Sequence, residues 1–145
     1  MARLLCLLLL FSVYSNALVN FCFTGQLLCP LENFRYQIYM FEDDLMVDNL
    51  LSRTPVTTSH YPHYYVVTGQ DTHDGCVVTW PVLFLCDYFF EIYFGIIHNC
   101  SLDGKWRTFD INMGKHYKVE GLVNKTININ LTNVGKLAID QRDPV

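Results

Sequence analysis

Six cysteines and five histidines are the side chains here that could hold a metal, move a proton or form a covalent bond. His60 and His63 lie three apart. On a strand that spacing sends the two rings to opposite faces, and Pro62 between them disturbs even that order. His98 shares the parity of Cys100 and its apolar neighbours, which predicts a buried, hydrogen-bonded imidazole. His73 and His116 stand in turn-like sequence and are expected in solvent. No Ser/His/Asp or Cys/His order pairs a nucleophile with a base. Zinc would call for Cys-x-x-Cys or similar spacing, and none occurs. Glu42, Asp43, Asp44 and Asp48 could offer oxygen ligands to calcium, but not in the spaced loop that makes such a site strong, so they are read as a solvated strand-end loop. The expectation is a chain with no catalytic residue, no metal and no cofactor.

The start of the chain sets the compartment in which the cysteines are judged. Met1-Ala2-Arg3 is a short basic start, and residues 4–14 are an uncharged apolar run of eleven. A membrane span needs about 20 such residues. Ser15-Asn16-Ala17 then supplies small residues at the positions a signal peptidase reads, so residues 1–17 are read as a secretory signal peptide. The stretch from Pro81 to Ile97 is also very apolar, but Asp87 and Glu91 interrupt it and its aromatic and β-branched content predicts strand, not span. Residues 18–145 are long enough for one domain with its own core. Of ten basic residues Arg3 leaves with the leader, so nine face fourteen acidic ones, a formal charge of about −5. That balance argues against nucleic acid, which calls for a concentrated basic face.

Cys6 also leaves, and five cysteines remain for an oxidising compartment: Cys22, Cys29, Cys76, Cys86 and Cys100. Two disulfides and one leftover thiol are expected. Cys29 and Cys100 each close the apolar face of a strand and are natural partners. Cys76 and Cys86 could tie a hairpin around Trp80-Pro81. Cys22 lies on the polar face beside Thr24 and Gln26, free to pair between chains, stay reduced or replace one of the other four.

The elements that position these groups read as strands. Phe21, Phe23, Gly25, Leu27 and Cys29 share one face; Phe34, Tyr36, Ile38 and Met40 share another; Phe90, Ile92, Phe94 and Ile96 lead to Cys100. Phe109, Ile111 and Met113 repeat the pattern, as do Ile127, Ile129 and Leu131. Tyr64 to Val67 is a short strand closed by Thr68-Gly69-Gln70. Alternation in twos is the signature of a half-buried antiparallel sheet. Residues 43–52 are the one helix candidate, at most a single turn. Short strands between Gly, Asn, Asp and Pro turns predict an all-β sandwich of seven to eight strands. Asn124 and Asn130 head Asn-x-Thr sequons on the outward parity of the last strand. Asn99 heads a third sequon, beside a cysteine expected to be bonded.

Four segments together resemble the nematode transthyretin-like family of secreted proteins. Phe23-Thr24-Gly25-Gln26-Leu27-Leu28-Cys29 resembles its opening strand, and Phe41-Glu42-Asp43-Asp44 with Asp48-Asn49-Leu50-Leu51 its acidic segment. Ile96-Ile97-His98-Asn99-Cys100 resembles its H-x-C strand end, and residues 125–131 its closing strand. The resemblance covers residues 23–133 and implies a transthyretin-like (prealbumin-like) β-sandwich. The middle departs from it: residues 58–64 replace the family's usual turn, and residues 71–89 are longer and more apolar. The related hydroxyisourate hydrolases carry a Tyr-Arg-Gly-Ser tail, where this chain ends Ile139-Asp140-Gln141-Arg142-Asp143-Pro144-Val145.

Together these features predict a secreted, glycosylated, disulfide-bonded and non-catalytic binding or bridging protein. Its partners would be a cell-surface protein, a lipid or a small hydrophobic ligand. Tyr61, His63, Tyr64 and Trp80, aromatic groups in loops or at strand ends, are the expected contact residues. The alternative is a homo-oligomeric carrier of a small hydrophobic molecule, as in transthyretin.

Overall fold

In a computed structural model of the chain, the structure describes residues 18–43, 48–72, 76–79, 83–86 and 89–139, with 76–79 and 83–86 as backbone. The expected leader, His73, Asp44, Trp80 and the side chains of Cys76 and Cys86 lie outside what is described.

The smaller sheet is built on β1 (Leu18–Leu28). β5 (Tyr64–Thr72) runs antiparallel along one side of β1. On the other side β10 (Gly121–Thr126) and β11 (Ile129–Asn130) run parallel to it, one after the other. An all-antiparallel sheet was the expectation from alternation, but period-two patterning reports only which face is buried and is blind to the direction of the neighbour. The larger sheet has the order β12 (Lys136–Leu137), β9 (Arg107–Tyr117), β8 (Phe89–His98) and β2 (Asn33–Glu42). The outer edge of β2 is shared by β3 (Asn49–Arg53) and β4 (Thr57–His60). A separate hairpin joins β6 (Cys76–Thr79) to β7 (Leu83–Cys86), with Cys76 and Cys86 directly opposite in register.

Twelve strands therefore stand among the described residues where seven or eight were expected. Several are fragments of one ribbon. Pro55 has no N–H to give a ladder and separates β3 from β4. Between β10 and β11 the side chain of Asn128 accepts the Gln26 amide at 3.0 Å in place of a backbone carbonyl. The helix expected over residues 43–52 is not formed in its described part: Asn49–Arg53 is strand β3, where pairing with β2 outweighs a weak local preference.

The two sheets face each other across one core. Val19, Phe21, Phe23 and Leu27 from β1, with Tyr65 and Val67 from β5, meet Ile38, Met40, Phe90, Ile92, Phe94 and Ile96. Aromatic edges meet aromatic faces at the centre: Phe21 on Phe90 at 5.4 Å and Phe23 on Phe94 at 5.3 Å. Each such ring contributes about 1.5–3 kcal/mol by burial, and each edge-to-face pair about 0.5–1.5 kcal/mol more. Tyr65 is buried in the same core, and its hydroxyl donates to the Ile127 carbonyl at 2.8 Å.

Glu42 does not join a solvated acidic loop as expected. It continues the inward parity of β2, is fully buried, and lies 3.4 Å from the ammonium of Lys118, which itself sits over the Phe90 ring. His116 is likewise buried rather than solvated. It lies within β9, its ring edge-on to Phe21 and Phe23, and burial first, then the nearby Lys125 charge, pushes its pKa down.

Candidate functional site

Of the contact residues expected from sequence, Tyr61, His63 and Tyr64 lie near the end of β1, and Trp80 lies outside the described residues. After β4 the chain turns through Tyr61 and Pro62 into His63, whose backbone is left-handed at φ 57°. That reversal swings the imidazole inward: His63 is only 2% exposed. Its Nδ1 lies 3.1 Å from Ser59 Oγ and its Nε2 2.9 Å from the Leu31 carbonyl. A carbonyl can only accept, so Nε2 donates to Leu31, and Nδ1 is engaged with the Ser59 hydroxyl. The exposed contact role expected for His63 is thus corrected: the residue is an internal anchor. Alternation cannot foresee this, because a left-handed residue breaks the period on which alternation rests.

The anchored turn is also pinned to β1. The Leu27 amide donates to the His63 carbonyl at 3.0 Å, and the Gln26 side-chain amide donates to the Pro62 carbonyl at 2.7 Å. Beside this seam lies a cleft of about 250 Å³, lined by Gln26 to Pro30, Tyr61, His63 and Thr132. Tyr61 and Tyr64 stand at 75% and 72% exposure, and Leu28 is exposed with them. Gln26, Leu28 and Thr132 are members of this site that parity alone assigned to an outward polar face. Only the register of Gln26 with Tyr64 brings them beside the tyrosines.

A covalent tie closes the floor. Cys29 is joined to Cys100, 71 residues further on, with their Cα atoms 6.0 Å apart. This is the pair that strand parity singled out. His98 follows its expected inward parity and is fully buried. Burial first, then the neighbouring Arg107 charge, lowers its pKa to about 4. Cys22 is a free, half-buried thiol in register between Thr68 and Asn124.

The sequons divide. Asn124 and Asn130 are exposed on the smaller sheet, and Asn130 is in register with Leu28 at the rim of the cleft. Asn99 is half-buried and its side-chain oxygen accepts the Arg35 amide at 2.7 Å. Among the described residues no group of three or more His, Cys, Asp or Glu side chains could hold a metal ion, and no helix is long and apolar enough to cross a membrane.

Set against protein-family models, curated proteins and solved structures, the chain matches none.

Proposed function

We propose that this chain is a secreted, non-catalytic binding or bridging protein of transthyretin-like architecture, which takes an apolar side chain of an extracellular protein partner into the cleft at the end of β1. The observation that carries the reading is the cleft itself: about 250 Å³, lined by exposed Tyr61 and Leu28 and by Cys29 of the disulfide-tied strand end. Pockets that enclose a small-molecule ligand run to roughly 300–1,000 Å³. A smaller opening with an exposed tyrosine at its wall suits one anchoring side chain, in the manner of an interface hot spot, better than a lipid tail or a carried ligand. The non-catalytic reading draws support from His63, the imidazole at the cleft, whose two ring nitrogens are both engaged. The disulfide and the leader-like start support the extracellular setting. The transthyretin-like reading draws on the two facing sheets and on Cys29 and Cys100, which close the two strands that the resemblance matches.

A fragment titration followed by amide resonances tests this. Indole and p-cresol, stand-ins for an anchoring side chain, are expected to shift Gln26, Leu28 and Thr132, and Tyr61→Ala is expected to abolish the shifts. Fragments that leave those three amides unmoved would sink the reading. Sedimentation separates the carrier alternative, since a strict monomer has no channel shared between copies.

A further inference from the structure

The larger sheet carries, on the face turned away from the core, a second cluster that the cleft does not use. Outward parity on β2 and β8 places Tyr39, Phe41 and Tyr93 there, none of them fully buried. The three rings form a ladder: Tyr39 to Phe41 at 6.2 Å with planes 15° apart, Phe41 to Tyr93 at 5.1 Å with planes 14° apart. A solvated sheet face ordinarily presents polar side chains, so a run of half-buried stacked rings there calls for an explanation.

Carboxylates surround the ladder. The Tyr93 hydroxyl donates to Asp48 at 2.6 Å. Asp48, Asp110 and Asp43 all lie near enough to Tyr93 to act on its ionisation, which burial and these charges together push well above the usual phenol range. Asp110 is in register with Gly95, and Gly95 with Tyr39. Gly95 presents no side chain, and both Phe41 and Asp110 stand 3.4 Å from where its Cβ would be. The result is a notch with an aromatic wall on one side and a carboxylate on the other. Basic groups also stand on this face. Arg53 is in register with Tyr39, three strand spacings or about 14 Å from Asp110; Lys136 is in register with Thr108, two residues from Asp110; Arg35 lies over the Trp106 ring, and Lys115 is paired with Glu91.

We propose that this face is a docking surface for an arginine-bearing segment of a partner protein. A guanidinium is planar, stacks on aromatic faces and donates in a fork that matches a carboxylate, so it can meet the ring ladder and Asp110 together. An ammonium would satisfy the charge but not the stacking. An anionic or strictly apolar partner would leave Asp43, Asp48 and Asp110 repelled or desolvated without compensation. The proposal rests on the binding-protein reading and gives it a second surface, on the sheet opposite the cleft, as a bridging role needs.

The test is a titration of the whole chain with a nonapeptide of alternating arginine and glycine, followed at backbone amides. The expected result is saturable shifts at Tyr39, Phe41, Tyr93, Gly95 and Asp110, weakening several-fold between about 50 and 300 mM salt as the charges are screened. Asp48→Asn with Asp110→Asn is expected to weaken binding about tenfold or more. Asp110→Asn alone keeps the Tyr93–Asp48 hydrogen bond and serves if the double variant folds poorly. Scattered or absent shifts, unchanged affinity in these variants, or equal binding by a citrulline-for-arginine peptide would each overturn the proposal. So would saturation of the same amides by a neutral oligosaccharide that displaces the peptide. The fragment test reads Gln26, Leu28 and Thr132 on the other sheet, so failure of one surface is distinguishable from failure of the other.

Discussion

The amide of Cys100 donates a 3.2 Å hydrogen bond to Nδ1 of His98. An imidazole nitrogen that accepts carries no proton, so this bond holds His98 neutral at the point where the disulfide leaves β8. Its buried Nε2 carries the proton of the neutral ring, so a second proton would have to go on Nδ1 and break the bond from the Cys100 amide. One contact thus ties the register of the strand end to an ionisation state.

The pH dependence of stability is a consequence of that tie. The folded-state pKa of His98 is lowered from 6.5 to about 4. Between those values the unfolded chain binds the proton and the folded chain does not. Stability is therefore full above pH 6.5, falls as pH drops from 6.5 toward 4, and levels below that. The loss is about 3 kcal/mol for this group, and the lowered pKa of His116 adds in the same direction. Urea unfolding at pH 7, 5.5 and 4 measures it, and His98→Gln should flatten the slope while lowering stability at pH 7. An unchanged slope in that variant would assign the dependence to other groups.

Breaking the Cys29–Cys100 bond should cost stability in proportion to the loop it closes. With a separation of 71 residues, loop-closure entropy sets an upper expectation of about 4 kcal/mol. Cys29→Ser with Cys100→Ser, compared with the parent by urea unfolding, should lose about 2–5 kcal/mol. A loss under about 1 kcal/mol would show that the reduced chain keeps the two strand ends together by packing alone.

Two glycines should differ in how much stability a single methyl group costs. A Cβ on Gly25 would collide with the carbonyl of Ile127, whose own amide is bonded to Thr24. Gly25→Ala must therefore push β1 away from the β10–β11 junction, with an expected loss of more than about 3 kcal/mol. Around Gly104, at φ +67°, a Cβ would meet nothing within 4 Å. Gly104→Ala should cost about 1 kcal/mol, the ordinary penalty of a left-handed backbone. Comparable losses in thermal unfolding would refute the close-approach account of Gly25.

Sugar should follow exposure. Asn124 and Asn130 are exposed, although Asn130 Oδ1 accepts the Thr132 amide at 2.9 Å, whereas Asn99 is half-buried and accepts the Arg35 amide. Peptide mapping of chain secreted from a glycosylating host should find glycan at Asn124 and Asn130 and none at Asn99. Glycan at Asn99 would mean that this strand end is modified before it folds. Because Asn130 is in register with Leu28, Asn130→Gln should leave the fragment shifts at Leu28 in place and increase their size.

Much of the fold is local and can be read residue by residue. Period-two alternation identifies the buried faces of β1, β2 and β8, because a pleated strand offers each side chain one of two directions and water selects the apolar one. The same parity makes Cys29 and Cys100 inward partners and buries His98. Parity also turns Tyr39 and Tyr93 outward, but nothing local tells that Phe41 stacks against both, because that depends on the register of β2 with β8.

Pairing belongs to the tertiary structure. That β10 runs parallel to β1, or that Asp110 stands across Gly95 from Tyr39, depends on contacts between segments far apart in the chain, and no local pattern encodes them. His63 and His116 mark the limit most clearly. One is turned inward by a left-handed backbone and bonds to Ser59 and Leu31; the other is drawn into the core by β9 pairing with β8. In both, the burial of a polar ring is decided by partners that only the assembled sheets bring within reach.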